Sequence, residues 1–102
     1  MAQNFCQTHY SAKFYARKEG YHLHMELPGV RASQIRVEYE DDVLSVSIVQ
    51  SCEYLEEWED GSAHSMFARI CHRHFPAPDA ILSRIEAKLR DEVLEVTLPT
   101  HP

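Results

Sequence analysis

Residues 35–48 read IRVEYEDDVLSVSI, and residues 85–98 read IEAKLRDEVLEVTL. Laid over each other, the two stretches share an isoleucine, an acidic pair, Val-Leu, a further valine and a branched apolar residue. In the first copy Ile35, Val37 and Tyr39 alternate with Arg36, Glu38 and Glu40; after the acidic break, Leu44, Val46 and Ile48 alternate with serines. Alternation of apolar and polar residues is the signature of a strand with one buried face, and two such runs around a short polar break read as a hairpin. The second copy repeats the pattern with Ile85, Ala87 and Leu89, then Leu94, Val96 and Leu98. A lone hairpin is marginal in water, so two hairpins with one apolar face each are expected to cover one another as a two-sheet sandwich.

The rest of the chain extends that pattern. In YHLHMEL, residues 21–27, Tyr21, Leu23, Met25 and Leu27 share one parity. Pro28 and Gly29 then break the strand. KFYARKE before Gly20 and SMFARICHRHF before Pro76 supply further strands, and FPAPDA is a rigid connection. Residues 50–65, QSCEYLEEWEDGSAHS, read as an acidic excursion, long for a hairpin loop, for which two readings stand: a plain solvated loop, or an excursion that pairs with another chain. No linker divides the chain.

With 102 residues and 44% hydrophobic content, one domain with a modest core is expected. The formal net charge of −6 repels a phosphate backbone or an anionic lipid surface, so neither nucleic acid nor membrane is an expected partner. The start, MAQNFCQTHY, lacks the basic and apolar regions of a signal peptide. Cys6, Cys52 and Cys71 are odd in number, widely spaced and without a C-x-x-C, which suits free thiols in a reduced, cytoplasmic setting.

The order of these pieces resembles the alpha-crystallin domain of the small heat-shock proteins over residues 13–99. AKLRDEVL at residues 87–94 is similar to the family signature A-x-L-x-N-G-V-L, carried by Ala87, Leu89, Val93 and Leu94. ELPGV at residues 26–30 matches its L-P-G, and CHRHFPAP at residues 71–78 is similar to F-x-R-x-F-x-L-P, with Arg73 on the arginine. Cys71 replaces an aromatic residue and Ala77 a leucine; Asp91 and Glu92 stand where Asn-Gly is usual. Asp-Glu suits a tight turn with two positive φ angles less well than Asn-Gly, which predicts a wider turn or one of another type.

The resemblance implies an all-β, immunoglobulin-like β-sandwich of two antiparallel sheets, a homodimer, and ATP-independent holding of unfolded client proteins. It divides the chain into a short arm (1–12), the domain (13–99) and a C-terminal stub (100–102). It implies that residues 50–65 cross to the partner and pair with the edge at residues 13–19, as in the bacterial and plant members. The short arm and the ending PTHP, without an I-x-I tail, lead to the expectation of a dimer rather than a large assembly; a trimmed chain and a minimal member are both open.

Arg69 and Arg73 lie four apart on one strand and so share a face. By the resemblance Arg73 sits at the dimer contact and pairs with a carboxylate from Glu53, Glu56, Glu57 or Glu59, alongside Arg69, Tyr54, Trp58, Phe14 and Tyr15. The alternative is that the two arginines are simply on the surface. In the family's arrangement the strands of the two copies border a groove between the sheets, for which Val37, Tyr39, Ile85, Ala87 and Leu89 are the candidates; the competing reading makes them closed core. His22 with His24 and His72 with His74 are strand-face pairs, but the family topology places them in different sheets and no shared metal site is expected. There is no Gly-rich phosphate loop and no G-x-S-x-G, so neither an enzyme nor a cofactor is expected. The expected function is an ATP-independent holdase acting through the apolar groove and edge strands. The alternative is an adaptor, or a size-limiting partner of other small heat-shock proteins.

Overall fold

The computed structural model describes the backbone of residues 2–4, 10–58 and 61–101, and the side chains of residues 10–51, 61 and 68–101. Its strands are β1 (Ala2–Asn4), β2 (Ala12–Arg17), β3 (Gly20–Glu26), β4 (Ile35–Glu40), β5 (Val43–Trp58), β6 (Gly61–Pro76), β7 (Glu86–Arg90) and β8 (Val93–Pro99). They form two antiparallel sheets. In one, β4, β5 and β6 lie side by side, with β1 against the far part of β5; the other runs β2-β3-β8-β7. The fold is the expected all-β sandwich.

The sequence echo proves longer than the two hairpins. With an offset of 50 residues, Leu27-Pro28-Gly29 falls on Ala77-Pro78-Asp79, the 3-10 turn Ala32–Gln34 on Leu82–Arg84, and the turn Asp41-Asp42 on Asp91-Glu92. Gly29 and Asp79 both have positive φ (76° and 68°). The two copies exchange strands: β3, from the first, pairs with β8 of the second, while β6, leading into the second, pairs with β5 of the first. The registers agree, with Met25 opposite Leu94 and Phe75 opposite Leu44. Each copy also caps the other's hairpin turn. The Leu27 N–H donates to the Glu92 carbonyl at 2.7 Å, and the Ala77 N–H donates to the Asp42 carbonyl at 2.8 Å.

Those caps bear on the turn at Asp91-Glu92, which is not wider than the Asn-Gly type. Arg90 faces Val93, leaving a two-residue loop, and Asp91 and Glu92 both take positive φ (51° and 64°), as Asp41 and Asp42 do. This is the geometry that matches the right-handed twist of the flanking strands. A left-handed conformation costs an ordinary residue about 1–2 kcal/mol. Here the cost is offset by the Leu27 bond and by the Gly29 N–H, which donates to Glu92 Oε1 at 3.3 Å.

The acidic stretch at residues 50–65 is likewise not a loop. β5 runs unbroken to Trp58 and β6 starts at Gly61, paired residue for residue; Glu59 and Asp60 lie outside the described residues. Once two strands are anchored in a sheet, a hairpin ladder continues through backbone hydrogen bonds alone and needs no apolar alternation, which is why the pattern did not reveal it. Sixteen residues at about 3.3 Å each give each strand a length of roughly 50 Å; only Val43–Ile48 of β5 pair with β4, so the remainder of the β5–β6 ladder runs on past that strand, in a molecule whose long axis is 67 Å.

The core lies between the sheets. Leu23, Met25 and Leu27 on one side of the repeat meet Leu44, Val46 and Ile48, with Leu94, Val96 and Leu98 completing it, all buried. Each such side chain contributes about 1.5–3 kcal/mol by leaving water. Tyr10, only 5% exposed, belongs to this core although it precedes β2, and at the other end the Thr100 N–H bonds the Glu19 carbonyl at 3.0 Å.

Candidate functional site

A sandwich has two lateral seams, and this one treats them differently. At the seam where β2 meets β6, the ring of Phe14 stacks on Tyr21 (centroids 5.7 Å apart) and tilts against Phe75 (5.1 Å). Tyr10 fills the space beside them, held by Arg73, whose guanidinium donates to the Tyr10 carbonyl at 3.1 Å and lies 5.6 Å over the Phe75 ring. This seam is plugged.

The opposite seam, between the equivalent strands β4 and β7, has no such plug among the described residues. It holds a cavity of about 250 Å³ lined by Val37, Glu38 and Tyr39 from β4, Leu44 from β5, Leu82 and Ile85 from the turn before β7, and Ala87 from β7. Leu44 is fully buried, whereas Leu82 stands 66% exposed at the mouth. The structure thus brings together Val37, Tyr39, Ile85 and Ala87. It does not bring Leu89 into the lining: that side chain is half-buried and packs on the core. Among the described residues β4 pairs only with β5 and β7 only with β8, so both strands bordering the cavity present a backbone edge without a partner there.

Tyr39 is the most constrained of these residues. Its hydroxyl donates to the Ala77 carbonyl at 2.6 Å, accepts the Ala80 N–H at 3.2 Å, and lies 3.3 Å from Asp42 Oδ1. From the other sheet the Tyr21 hydroxyl donates to the Pro78 carbonyl at 3.0 Å. One tyrosine from each sheet therefore pins the crossing segment 77–80. Burial raises the Tyr39 pKa, the nearby Asp42 charge adding to the effect and the Ala80 bond opposing it.

The dimer candidates are spread more widely. Phe14 points inward, whereas Tyr15 points out, 37% exposed, against His22 (5.4 Å) and under the Arg17 guanidinium (4.8 Å). Among the described residues β2 pairs only with β3, and its outer edge has no partner. Arg73 sits opposite Val46 and Arg69 opposite Gln50, on one face of β6. Tyr54 and Trp58 are placed by backbone only, opposite Ser65 and Gly61. The side chains of Glu53, Glu56, Glu57 and Glu59, the expected partners of Arg73, lie outside the described residues, as do those of Cys6 and Cys52; Cys71 is a free, half-buried thiol.

Sequence reasoning missed Tyr10 and Leu82. An isolated aromatic residue ahead of the first strand gives no periodic signal. Leu82 was findable, because carrying the repeat back from the hairpins to Leu27 and Ala77 exposes both 3-10 turns.

Three comparisons place this geometry among known proteins. The family model described as Hsp20/alpha crystallin family matches residues 13–102. A curated relative, the 23.6 kDa mitochondrial heat shock protein of Oryza sativa subsp. japonica, is 34% identical over 88 residues, 83% of this chain; the chain spans 40% of that relative's length. Among solved structures, heat shock protein 16.0 from Schizosaccharomyces pombe aligns over 92% of this chain and 88% of its own, with a TM-score of 0.66 and 25% identity. HspA from Xanthomonas axonopodis shares the fold over 95% of this chain and 98% of its own, with a TM-score of 0.65 and 24% identity. With a family model covering the sandwich from β2 to the chain's last residue, this chain belongs to the Hsp20/alpha crystallin family of small heat-shock proteins.

Proposed function

We propose that the chain is an ATP-independent holdase, binding extended apolar segments of partly unfolded proteins along the β4–β7 seam. The observation that carries this reading is the asymmetry of the two seams: one is plugged by Tyr10 and Phe14, and the other keeps an open cavity, lined by Val37, Leu82, Ile85 and Ala87 above the buried Leu44, between two strand edges that are unpaired among the described residues. An extended segment with apolar residues two apart can add backbone bonds at such an edge while both side chains enter the cavity. The working form is a homodimer in which residues 50–65 of each chain pair with the β2 edge of the other. The length of the β5–β6 arm and the open outer edge of β2 support it. Such pairing would satisfy two sheet edges at once. The proposed setting is the cytoplasm, in keeping with the free Cys71 thiol; among the described residues no helix is long and apolar enough to cross a membrane. A photoreactive side chain placed at Ala87 should crosslink to a client held at its unfolding temperature and not to the same client while native. Crosslinking that is equal in the two states would refute binding of unfolded segments at this seam.

A further inference from the structure

The internal repeat also governs the histidines. His22 and His24 on β3 fall, at the 50-residue offset, on His72 and His74 of β6, and their cross-strand neighbours Thr97 and Glu95 fall on Ser47 and Ser45. The two pairs are not chemically alike. The His72 and His74 rings are exposed and nearly parallel (11°), with centroids 6.5 Å apart. Ser47 Oγ lies 2.9 Å from His72 Nδ1, and Ser45 Oγ lies 3.0 Å from His74 Nδ1. Around the first pair, His22 packs against Tyr15, its Nδ1 3.5 Å from Thr97 Oγ1, and His24 Nδ1 faces Glu95 at 3.6 Å.

We propose that His72 and His74 form a chelating site for a divalent cation of the Ni²⁺, Cu²⁺ or Zn²⁺ class, bound through the two Nε2 atoms and completed by water. Imidazole suits these metals. A histidine that ligates through Nε2 usually donates its Nδ1–H to a fixed oxygen, which sets the tautomer and orients the ring. Ser47 and Ser45 already stand at hydrogen-bond distance to do this for both rings. The spacing also fits. Metal–nitrogen bonds of about 2.0–2.1 Å require the two nitrogens to come within roughly 4 Å of each other. Parallel rings 6.5 Å apart meet that by tipping toward one another, and both are exposed. Among the described residues β6 pairs only with β5, and both rings are exposed, which leaves room for a metal's remaining water ligands.

The test is a calorimetric titration of the full chain with Ni²⁺ alone; Cu²⁺ is avoided because it would oxidise the thiols. A paramagnetic read-out accompanies it, the broadening of assigned histidine ring signals by NMR. The expected result is one saturable site, with the first signals to broaden being those of His72 and His74. His72→Asn and His74→Asn should each weaken binding at least about tenfold, Ser47→Ala by up to about tenfold, and the double variant His22→Asn, His24→Asn should bind as the parent does. The inference is overturned by the absence of a saturable heat, by broadening that begins at other histidines, or by binding that survives His72→Asn unchanged. Because the NMR read-out uses the parent chain, a variant that failed to fold would not shield it.

Discussion

Ala87 offers a direct test of the β4–β7 seam. It lines the cavity from an edge strand and is exposed, so Ala87→Glu should change folding stability by no more than about 0.5 kcal/mol. The probe is a short peptide with two isoleucines one residue apart, whose side chains point the same way from an extended backbone. Full burial of both would give about 3–6 kcal/mol of transfer free energy. Ordering the side chains and joining two molecules remove much of that, leaving a Kd on the order of high micromolar to millimolar. A carboxylate at position 87 would keep at least one isoleucine out, forfeiting about 1.5–3 kcal/mol, or roughly ten- to a hundredfold in affinity. Leu89→Glu would be a poorer probe, because Leu89 packs on the core and a charge there threatens the fold itself. The assay is an NMR titration of parent and variant, with chemical denaturation as the folding control. Peptide binding by Ala87→Glu equal to the parent's, or shifts confined to the β2–β6 seam, would refute the reasoning.

Three further outcomes follow from particular contacts. A Cβ at Gly20 (φ 144°) would clash with the Leu98 carbonyl oxygen and meet Pro99 Cα at 2.9 Å, both backbone, whereas nothing lies within 4 Å of one at Gly29 (φ 76°). Gly20→Ala should therefore cost about 3 kcal/mol or more and Gly29→Ala about 1 kcal/mol in a denaturant titration, and equal midpoints would contradict the β3–β8 approach. Arg73→Ala should lose about 1–2 kcal/mol, through the bond to Tyr10 and the packing over Phe75, while Arg36→Ala, 77% exposed beside Glu38, should lose about 0–1 kcal/mol. Burial holds the Tyr10 and Tyr39 phenols above their ordinary pKa of 10.0, so the folded chain keeps these protons longer than the unfolded chain. Stability should then be level below about pH 10 and fall as pH rises through the folded values, less steeply in Tyr39→Phe, as thermal melts across that range would show.

The alternation in the two copies was enough to place β4, β5, β7 and β8 and to set which side chains face inward, because a strand with one wet face must alternate. The same rule failed for the arm. Beyond Val49 the two paired strands leave the sandwich and the pattern lapses, although the backbone ladder continues. It also failed for the plug, since Tyr10 is a single residue whose burial depends on Phe75 and Arg73, more than 60 positions away. Val37, Tyr39, Ile85 and Ala87 were legible as one row per strand, yet no pattern in the chain separates the lining residue Ala87 from the core-packed Leu89.

The most direct measurement is light scattering from a heat-labile client warmed with this chain in the absence of nucleotide. A holdase should suppress client aggregation in proportion to its concentration, with no change on adding ATP, and should lose much of that suppression in Ala87→Glu while that variant stays folded. Aggregation that proceeds as fast with the chain as without it would contradict the holdase reading.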